Sequence, residues 1–517
     1  MYQPVPDKPD FPALELRVLE FWEDTRAFET LREKLATSDA GGQRFSFIDG
    51  PITANNPMAV HHAWGRTYKD LYQRYKAMNG FNQRWQNGFD CQGLWVEVEV
   101  EKELGFSSKR DIEQYGIAEF NQRCKDRVLK FARVITEQSI RLGQWMDWGD
   151  SYFTMSDENN YTIWRVIKTC HERGWLYRGH DVMHWCPRCG TGISHMEIET
   201  EGYREVSHTS LYVRLPLLDR PKESLLVWTT TPWTLTANVA AAVHPDLTYA
   251  RAVKDGDSVW LAEPLVKRVL GDSWQVEQHL RGADMLNWRY KGPFDELPAV
   301  RGVEHRVIPW TEVSQEEGTG IVHIAPGCGE EDYLLGQEYN LKPIAPLDEN
   351  GFYVDGFDWL TAKYVSDVAR LIADNLRQKG ALFRSEQYRH RYPHCWRCGT
   401  ELVFRLVDEW YIRMDELRHM VMDVTRQIRW LPDFGLEREL DWLRNMRDWM
   451  ISKKRYWGLA LPIWYCDDCQ RFEVIGGVDE LRERAVSGLE RFEGHSPHRP
   501  WIDAVKVACA QCGQPLS

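Results

Sequence analysis

The sequence predicts a mixed α/β protein in which a doubly wound parallel sheet is interrupted by a β-rich insertion. Three observations carry this. Up to about residue 183 the chain reads strand, tight loop, helix, the unit of a sheet that binds ligands at the carboxyl ends of its strands. From about 184 to 390, short β runs punctuated by Gly and Pro replace the helical pattern. The pairs Cys186/Cys189 and Cys395/Cys398 bracket that block, as expected of a domain that leaves its host and returns at neighbouring points.

In chain order, Leu14, Leu16, Val18, Leu19 and Phe21 give residues 11–35 the apolar side of an amphipathic helix. Phe45, Phe47 and Ile48 predict a short buried strand ending at Asp49-Gly50-Pro51. Tyr68, Leu71, Tyr72, Tyr75 and Met78 recur at helical spacing, and Gly80 supplies a stop. Two more helices are predicted near 118–143 and 157–173. Inside the block, Leu211-Tyr-Val-Arg-Leu215 and Leu225-Leu-Val-Trp228 read as strands, and helical patterning returns from about 413 to 455. The charge run Glu480-Leu-Arg-Glu-Arg484 reads as a solvated helix face. The expected division is a host segment 1–183, a cysteine hinge 184–200, the β block 201–388, a returning hinge 389–400, the start of the host's second half 401–463 and a second cysteine segment 464–517.

Composition narrows the function classes. A net charge of −13, from 64 Lys+Arg and 77 Asp+Glu, argues against general adhesion to nucleic acid or anionic membrane and leaves room for a local basic groove. With 43% hydrophobic and 27% charged residues, the chain has a globular composition. No apolar stretch approaches the ~20 residues of a membrane span, and the N-terminus lacks a basic region followed by an apolar one. A reducing, cytoplasmic setting with no membrane partner is the expectation. There the 12 Cys are read as metal ligands, nucleophiles or core residues before disulfides.

Eight of them form four Cys-x-x-Cys pairs: Cys186/Cys189, Cys395/Cys398, Cys466/Cys469 and Cys509/Cys512. Two such knuckles complete a tetrahedral Zn²⁺ site, so the first two pairs and the last two predict two structural zinc sites. Arg188 and Arg397 inside their knuckles would offset the charge of a tetrathiolate site. The rival reading, redox chemistry, lacks a thioredoxin-like setting. Cys170, in line with Trp164 and Ile167, reads as core, while Cys91 and Cys124 are lone cysteines.

Chemistry first shows between Phe47 and Arg66, where a loop after a strand carries His61 and His62 to a helix N-terminus. Backbone N–H groups favour phosphate there, and imidazoles can donate to charge developing at phosphorus. Alone, a His-His pair is more often a solvated or capping pair. Its surroundings are Asp49-Gly50-Pro51, Tyr68-Lys69-Asp70, Gly88-Phe-Asp-Cys-Gln-Gly93, Val96-Glu-Val-Glu-Val-Glu-Lys-Glu-Leu-Gly105 and Trp449-Met-Ile-Ser-Lys-Lys-Arg-Tyr-Trp-Gly458. Together, and across essentially the whole chain, these resemble the class I aminoacyl-tRNA synthetases of the isoleucyl, valyl and leucyl group. Glu97 to Gly105 and Gly318-Thr-Gly-Ile-Val-His-Ile-Ala-Pro326 resemble the isoleucyl branch; valyl enzymes typically carry Lys where this chain has His323.

The resemblance implies a Rossmann-type catalytic domain with an incomplete second half, an inserted β-rich editing domain and four-cysteine zinc knuckles. It implies ATP-dependent activation of isoleucine, transfer to tRNA(Ile) and hydrolytic editing of Val-tRNA(Ile). The cofactors would be two Zn²⁺ and ATP with Mg²⁺, and the enzyme a monomer. By position, Pro51 and Asp90 would hold the substrate ammonium, while His62, with His61, would serve ATP. The editing signature falls on Thr229, Thr230, Thr231 and Asn238, facing Gly318-Thr-Gly320, His323 and Asp332. Asp332 would pair with the α-ammonium of a mischarged residue, and Cys328 would be a bystander. Arg389, His390, Arg391 and His394 would supply local positive charge for tRNA. Editing answers a physical need, since one methylene separates isoleucine from valine, too little for one apolar pocket to reject.

Two departures stand out. The family's His-x-Gly-His falls on Ala59, Val60, His61 and His62, so the first His is lost and a His replaces the Gly. The expectation is an imidazole relocated to His61. Nothing reads as the Lys-Met-Ser-Lys-Ser loop, because Met450-Ile-Ser-Lys-Lys454 belongs to the Trp449 motif. The chain is therefore expected to be an N-terminal fragment of a longer synthetase or one piece of a split one. The alternatives are a valyl- or leucyl-type ligase, or a stand-alone trans-editing or tRNA-binding protein.

Overall fold

The structure, a computed structural model, describes residues 8–37, 43–45, 47–199 and 202–516. The chain divides into two compact units, residues 1–174 with 455–517, and residues 175–454.

The first unit opens with α1 (Phe11–Asp24), capped by the Asp10 carboxylate, which accepts the Ala13 N–H at 3.1 Å. Arg26, at φ 48°, breaks the expected single helix, and α2 (Ala27–Thr37) follows. The strand expected from Phe45 to Ile48 does not form among the described residues; Ile48 is 87% exposed. Residue 46 lies outside them. Pairing begins later because Asp49 anchors the chain: its buried carboxylate takes Lys69 Nζ at 2.6 Å and the Gly88 N–H at 3.2 Å. Strand β1 (Ile52–Thr53) then runs parallel to β2 (Gln86–Asp90), with α3 (Val60–Met78) between them in sequence. Helices α4 (Leu94–Leu104), α5 (Lys109–Tyr115) and α6 (Ile117–Arg141) lead to β3 (Asp147–Phe153), parallel to β2, and α7 (Asp157–Glu172) follows. Phe89, Val96, Phe120, Cys124, Val128 and Ile135 form this core. The apolar spacing of α3 is real, yet its face is open: Trp64, Tyr68, Leu71, Tyr72, Tyr75 and Met78 are all exposed.

The second unit contains β4 (Leu176–Cys186), β5 (Thr191–Gly192), β6 (Tyr203–Pro216), β7 (Glu223–Thr229), β8 (Ala240–Val243), β9 (Thr248–Lys254), β10 (Asp257–Ala262), β11 (Gln275–Arg281), β12 (Arg306–Pro309) and β13 (Val322–Ile324). Then come α8 (Glu330–Glu338), α9 (Ala369–Gln378), β14 (Leu382–Pro393), β15 (Val403–Ile412), α10 (Leu417–Thr425), α11 (Gly435–Asn445) and β16 (Trp449–Met450). The strands form sheets of order β11-β9-β10-β7-β6-β14, β12-β8-β13 and β16-β15-β4-β5. Strand β8 is buried at every position, so it reads as a continuous apolar run rather than an alternating one. It joins Leu211, Val213, Leu225, Val227, Tyr249 and Trp260 in one core. The antiparallel β4/β15 ladder runs from Leu176↔Ile412 to Trp185↔Val403. The edge expected at 183/184 falls inside this ladder, and the stretch expected to restart the host at 401 supplies its other strand.

The first unit resumes with β17 (Ile463–Tyr465), β18 (Phe472–Val474), α12 (Val478–Arg484), β19 (Ala485–Ser487), β20 (Lys506–Ala508) and β21 (Pro515–Leu516). Buried Glu97 receives it, accepting the Tyr456 and Trp457 N–H groups at 2.6 and 2.5 Å. The charge run on α12 is not merely solvated, since Glu480 accepts from Lys168 and from the Gly476 N–H. No described helix is long and apolar enough to cross a membrane.

Candidate functional sites

In the first unit the register Ile52↔Phe89, Thr53↔Asp90 pairs Asp90 with Thr53, while Pro51 lies just before β1. The Asp90 carboxylate accepts the Thr53 hydroxyl at 2.9 Å and the Thr154 hydroxyl at 3.4 Å. Lys69 and Tyr152, not among the expected site residues, hold the loop: Lys69 Nζ donates to the Gly50 C=O at 2.9 Å and the Tyr152 hydroxyl to the Asp49 C=O at 2.6 Å. Only Lys69, inside Tyr68-Lys69-Asp70, carried a sequence signal.

The His pair sits on the first turn of α3, with ring centroids 3.9 Å apart. Ala59 is the N-cap residue but has no side chain to cap with, and His62 does so instead: its Nδ1 accepts the Ala59 N–H at 3.1 Å. That bond places the ring proton on Nε2. Burial, then His61 and Arg66, push the His62 pKa below its ordinary value, so the ring is a neutral donor. His61 is exposed beside it.

The eight cysteines of the four pairs gather into two groups of four, as the knuckle spacing predicts: Cys186, Cys189, Cys395 and Cys398 in the second unit, and Cys466, Cys469, Cys509 and Cys512 in the first. Sulfur separations are 3.5 Å for Cys186–Cys398, 3.6 Å for Cys466–Cys512 and Cys469–Cys509, and 4.0 Å for Cys469–Cys512. A tetrahedron with Zn–S bonds of about 2.3 Å has edges of about 3.8 Å; a disulfide would need about 2.05 Å. The four knuckles turn alike, with Gly190, Gly399, Gln470 and Gly513 at positive φ donating to the carbonyl of the first cysteine at 2.8–2.9 Å. Both groups could hold a metal ion. Arg188 Nη1 lies 4.0 Å from Cys189 Sγ, whereas Arg397 pairs with Glu197 at 2.6 Å.

In the second unit a cavity of about 560 Å³ is lined by Thr229, Thr230, Thr231, Thr234, His323 and Asp332 among others. Thr229 ends β7, and the turn after it folds three hydroxyls into a chain. Thr229 Oγ1 accepts the Thr231 N–H at 3.1 Å, Thr231 Oγ1 lies 3.4 Å from Thr234 Oγ1, and the Thr234 hydroxyl donates to the Thr231 C=O at 2.8 Å. His323 Nε2, 3.0 Å from Thr234 Oγ1, is then the donor to it. His323 Nδ1 has no partner among the described residues, and burial lowers the ring pKa to about 4, so the ring is neutral. Asp332, in the first turn of α8, accepts the Ala325 N–H at 2.7 Å. Its pKa rises to about 6, mainly through burial.

Asn238 is a correction. Its Nδ2 donates to the Ala240 C=O and its Oδ1 accepts the Tyr290 hydroxyl, both at 2.9 Å, and it is 1% exposed. Its amide is consumed inside the core and does not line the cavity. Thr234, Tyr392 and Leu402 do line it without having been singled out. Thr234 was legible inside the Trp228–Leu235 motif; Tyr392 and Leu402 come from distant parts of the chain and carry no local signal. Cys328 also lines the cavity, with its sulfur 3.9 Å from the Ile344 C=O. In the expected basic stretch Arg389 pairs with Glu205 and Arg384 lies 3.4 Å from Glu386, while Arg391 rests on the Tyr203 ring and keeps its charge. A larger cavity in the first unit, about 680 Å³, is lined by none of the expected site residues.

A family model described as tRNA synthetases class I (I, L, M and V) matches residues 17–499. An isoleucine–tRNA ligase of Methanothermobacter marburgensis is 40% identical over 503 residues, 97% of this chain and 47% of that protein. One from Thermus thermophilus is 41% identical over 513 residues, 98% of this chain and 48% of that protein. The chain thus spans about half the length of the curated relatives it matches. A solved LeuRS–tRNA–LeuAMS ternary complex from Agrobacterium radiobacter K84 aligns with 99% of this chain and 57% of its own, at 13% identity and a TM-score of 0.39. With a family match over nearly its whole length, the chain belongs to the class I tRNA synthetases.

Proposed function

We propose that this chain carries the editing cavity and the amino-acid- and ATP-facing half-site of an isoleucine–tRNA ligase. The observation behind this reading is the 560 Å³ cavity in which threonine hydroxyls, a neutral imidazole and a buried carboxylate converge, in a chain about 40% identical to isoleucine–tRNA ligases. In the hydrolytic reaction the Asp332 carboxylate holds the α-ammonium of valine esterified to the terminal ribose. The threonine hydroxyls hold the adenosine and the attacking water. Water adds to the ester carbonyl, the ester C–O bond breaks, and valine leaves with a free ribose hydroxyl on the tRNA. A cavity fitted to valine excludes isoleucine by size.

In the synthetic reaction the Pro51 carbonyl and Asp90 hold the ammonium of isoleucine, while His62 Nε2–H, with His61 beside it, donates to ATP. The isoleucine carboxylate attacks the α-phosphorus and pyrophosphate leaves; Mg²⁺ accompanying ATP would neutralise phosphate charge. The two cysteine groups would each hold a structural Zn²⁺, with no open position for catalysis. Twelve cysteines with no disulfide among them suit a reducing, cytoplasmic setting. The test is deacylation of preformed Val-tRNA(Ile) and Ile-tRNA(Ile) by the chain. Val-tRNA(Ile) should be hydrolysed well above its spontaneous rate and Ile-tRNA(Ile) spared; a spontaneous rate for both would sink the editing assignment.

A further inference from the structure

Asp332 reaches the cavity from the first turn of α8, and that turn has no side-chain cap, because its N-cap residue is Gly329. Helical spacing divides α8 between two faces. Asp332, Leu335 and Gly336 share one of them; Leu335 and Gly336 are buried, and the Asp332 carboxylate accepts the Ala325 N–H. Glu330 and Tyr333 share the other, and each is tied to the side of the β4/β15 ladder. The Tyr333 hydroxyl donates to the His180 C=O of β4 at 3.1 Å. Glu330 pairs with Arg447, which lies between α11 and β16, the strand that extends the ladder at Tyr411↔Met450 and Ile412↔Trp449. The Arg447 side chain is half exposed, but that of Glu330 is only 14% exposed, so this is not a rim pair whose worth solvent erases. Burial, then Glu330 and Asp448, hold the Asp181 carboxyl above its ordinary range, and the Arg447 guanidinium opposes them. Arg447 therefore keeps Glu330 beside two further carboxyl groups that would otherwise repel it.

We propose that Arg447 and Tyr333 are positioning residues for the hydrolytic reaction: by fixing the outer face of α8 to the β4/β15 ladder, they hold Asp332 where it meets the substrate ammonium. The proposal rests on the hydrolytic reading and extends the machinery beyond the cavity wall, since neither residue lines the cavity. Arg447 and His180 also fall outside the β block expected at 201–388, in stretches expected to belong to the host. The strands that lead into and out of the block thus support the site from outside it. A carboxylate that must stay within hydrogen-bond reach of one ammonium is sensitive to the seat of its helix, because a misplacement of about 1 Å can cost roughly a hundredfold in rate.

The test is deacylation of preformed Val-tRNA(Ile) by the full chain, with each variant made both with Asp332 present and in the Asp332→Asn background. With Asp332 present, Arg447→Met should lower kcat about tenfold, a part of what a misplaced group can cost, and leave KM unchanged, because the rest of the tRNA sets it. In the Asp332→Asn background the same substitution should change nothing, because no carboxylate is left to position. Glu330→Gln should match Arg447→Met, and the two together should be no worse than either alone, as for partners in one contact. Tyr333→Phe removes a single hydroxyl and should show the same dependence on Asp332 on a smaller scale; it decides the matter if Arg447→Met fails to fold. Unchanged kcat in the folded variants overturns the proposal. An equal loss with and without Asp332 overturns it too, since that is the mark of a merely structural role. A parent chain no faster than spontaneous hydrolysis overturns the hydrolytic reading itself, and this role with it.

Discussion

At Asp332 burial sets the pH range in which the proposed ammonium contact would hold. Its pKa of about 6 leaves it ionised at neutral pH and protonated in mild acid. We predict that kcat/KM for Val-tRNA(Ile) deacylation falls about tenfold per unit below pH 6, since this ratio reports the free enzyme. Protonation of Asp332 does not itself destabilise the fold. A carboxyl whose folded pKa is raised binds its proton more tightly in the folded state, so its contribution to stability is greatest at low pH and is lost as pH rises through about 6. Asp332→Asn should flatten the acid limb and slow deacylation about ten- to hundredfold, the worth of a charge-assisted hydrogen bond. An unchanged pH profile would remove Asp332 from the chemistry. Asn238 should behave in the opposite way. With both ends of its amide bonded in the core, Asn238→Ala should lower the unfolding free energy by about 1–3 kcal/mol in a urea titration and leave kcat/KM of the folded fraction unchanged.

The cysteine knuckles were the most legible elements, because a knuckle is local: two cysteines at fixed spacing and a residue that tolerates positive φ. Their pairing was legible too, since an inserted segment must leave and return at one place. We predict two zinc ions per chain by elemental analysis, one in Cys395→Ser and one in Cys469→Ser, with a lower melting temperature in each. Two zinc ions retained in either variant would contradict the assignment of four thiolates per site. Other elements were less legible for reasons of partnership. Phe45, Phe47 and Ile48 have the composition of a strand, but the buried Asp49 carboxylate fixes the chain just beyond them and the ladder starts at Ile52. The spacing along α3 foretold the helix but not its exposure, because periodicity reports which residues share a face and says nothing of what covers it. The hydroxyl chain from Thr229 to Thr234 lay within one motif and could be read; the Tyr392 and Leu402 walls exist only once β14 and the turn after it are in place.

Each compact unit has a core of its own. The largest, around Val213, Val227, Trp260 and Phe294, draws every member from residues 175–454, while Phe89, Phe120 and Val128 belong to a separate core of the other unit. All six residues of the proposed hydrolytic site that line the cavity also lie within 175–454, as do the four cysteines of one group. A segment that holds its own core, its own metal ligands and its own cavity satisfies the conditions for folding alone. We therefore predict that residues 175–454, expressed with zinc, unfold in a single cooperative transition and hydrolyse Val-tRNA(Ile), with kcat within about tenfold of the full chain and any further loss confined to KM, where tRNA contacts made elsewhere would act. In the full chain, Asp90→Ala alters the other unit and should leave that hydrolysis untouched. If the excised segment folds, by its unfolding transition, yet its kcat drops by orders of magnitude, the hydrolytic site needs groups beyond this unit. If Asp90→Ala abolishes hydrolysis in a folded chain, the division of chemistry between the units is wrong.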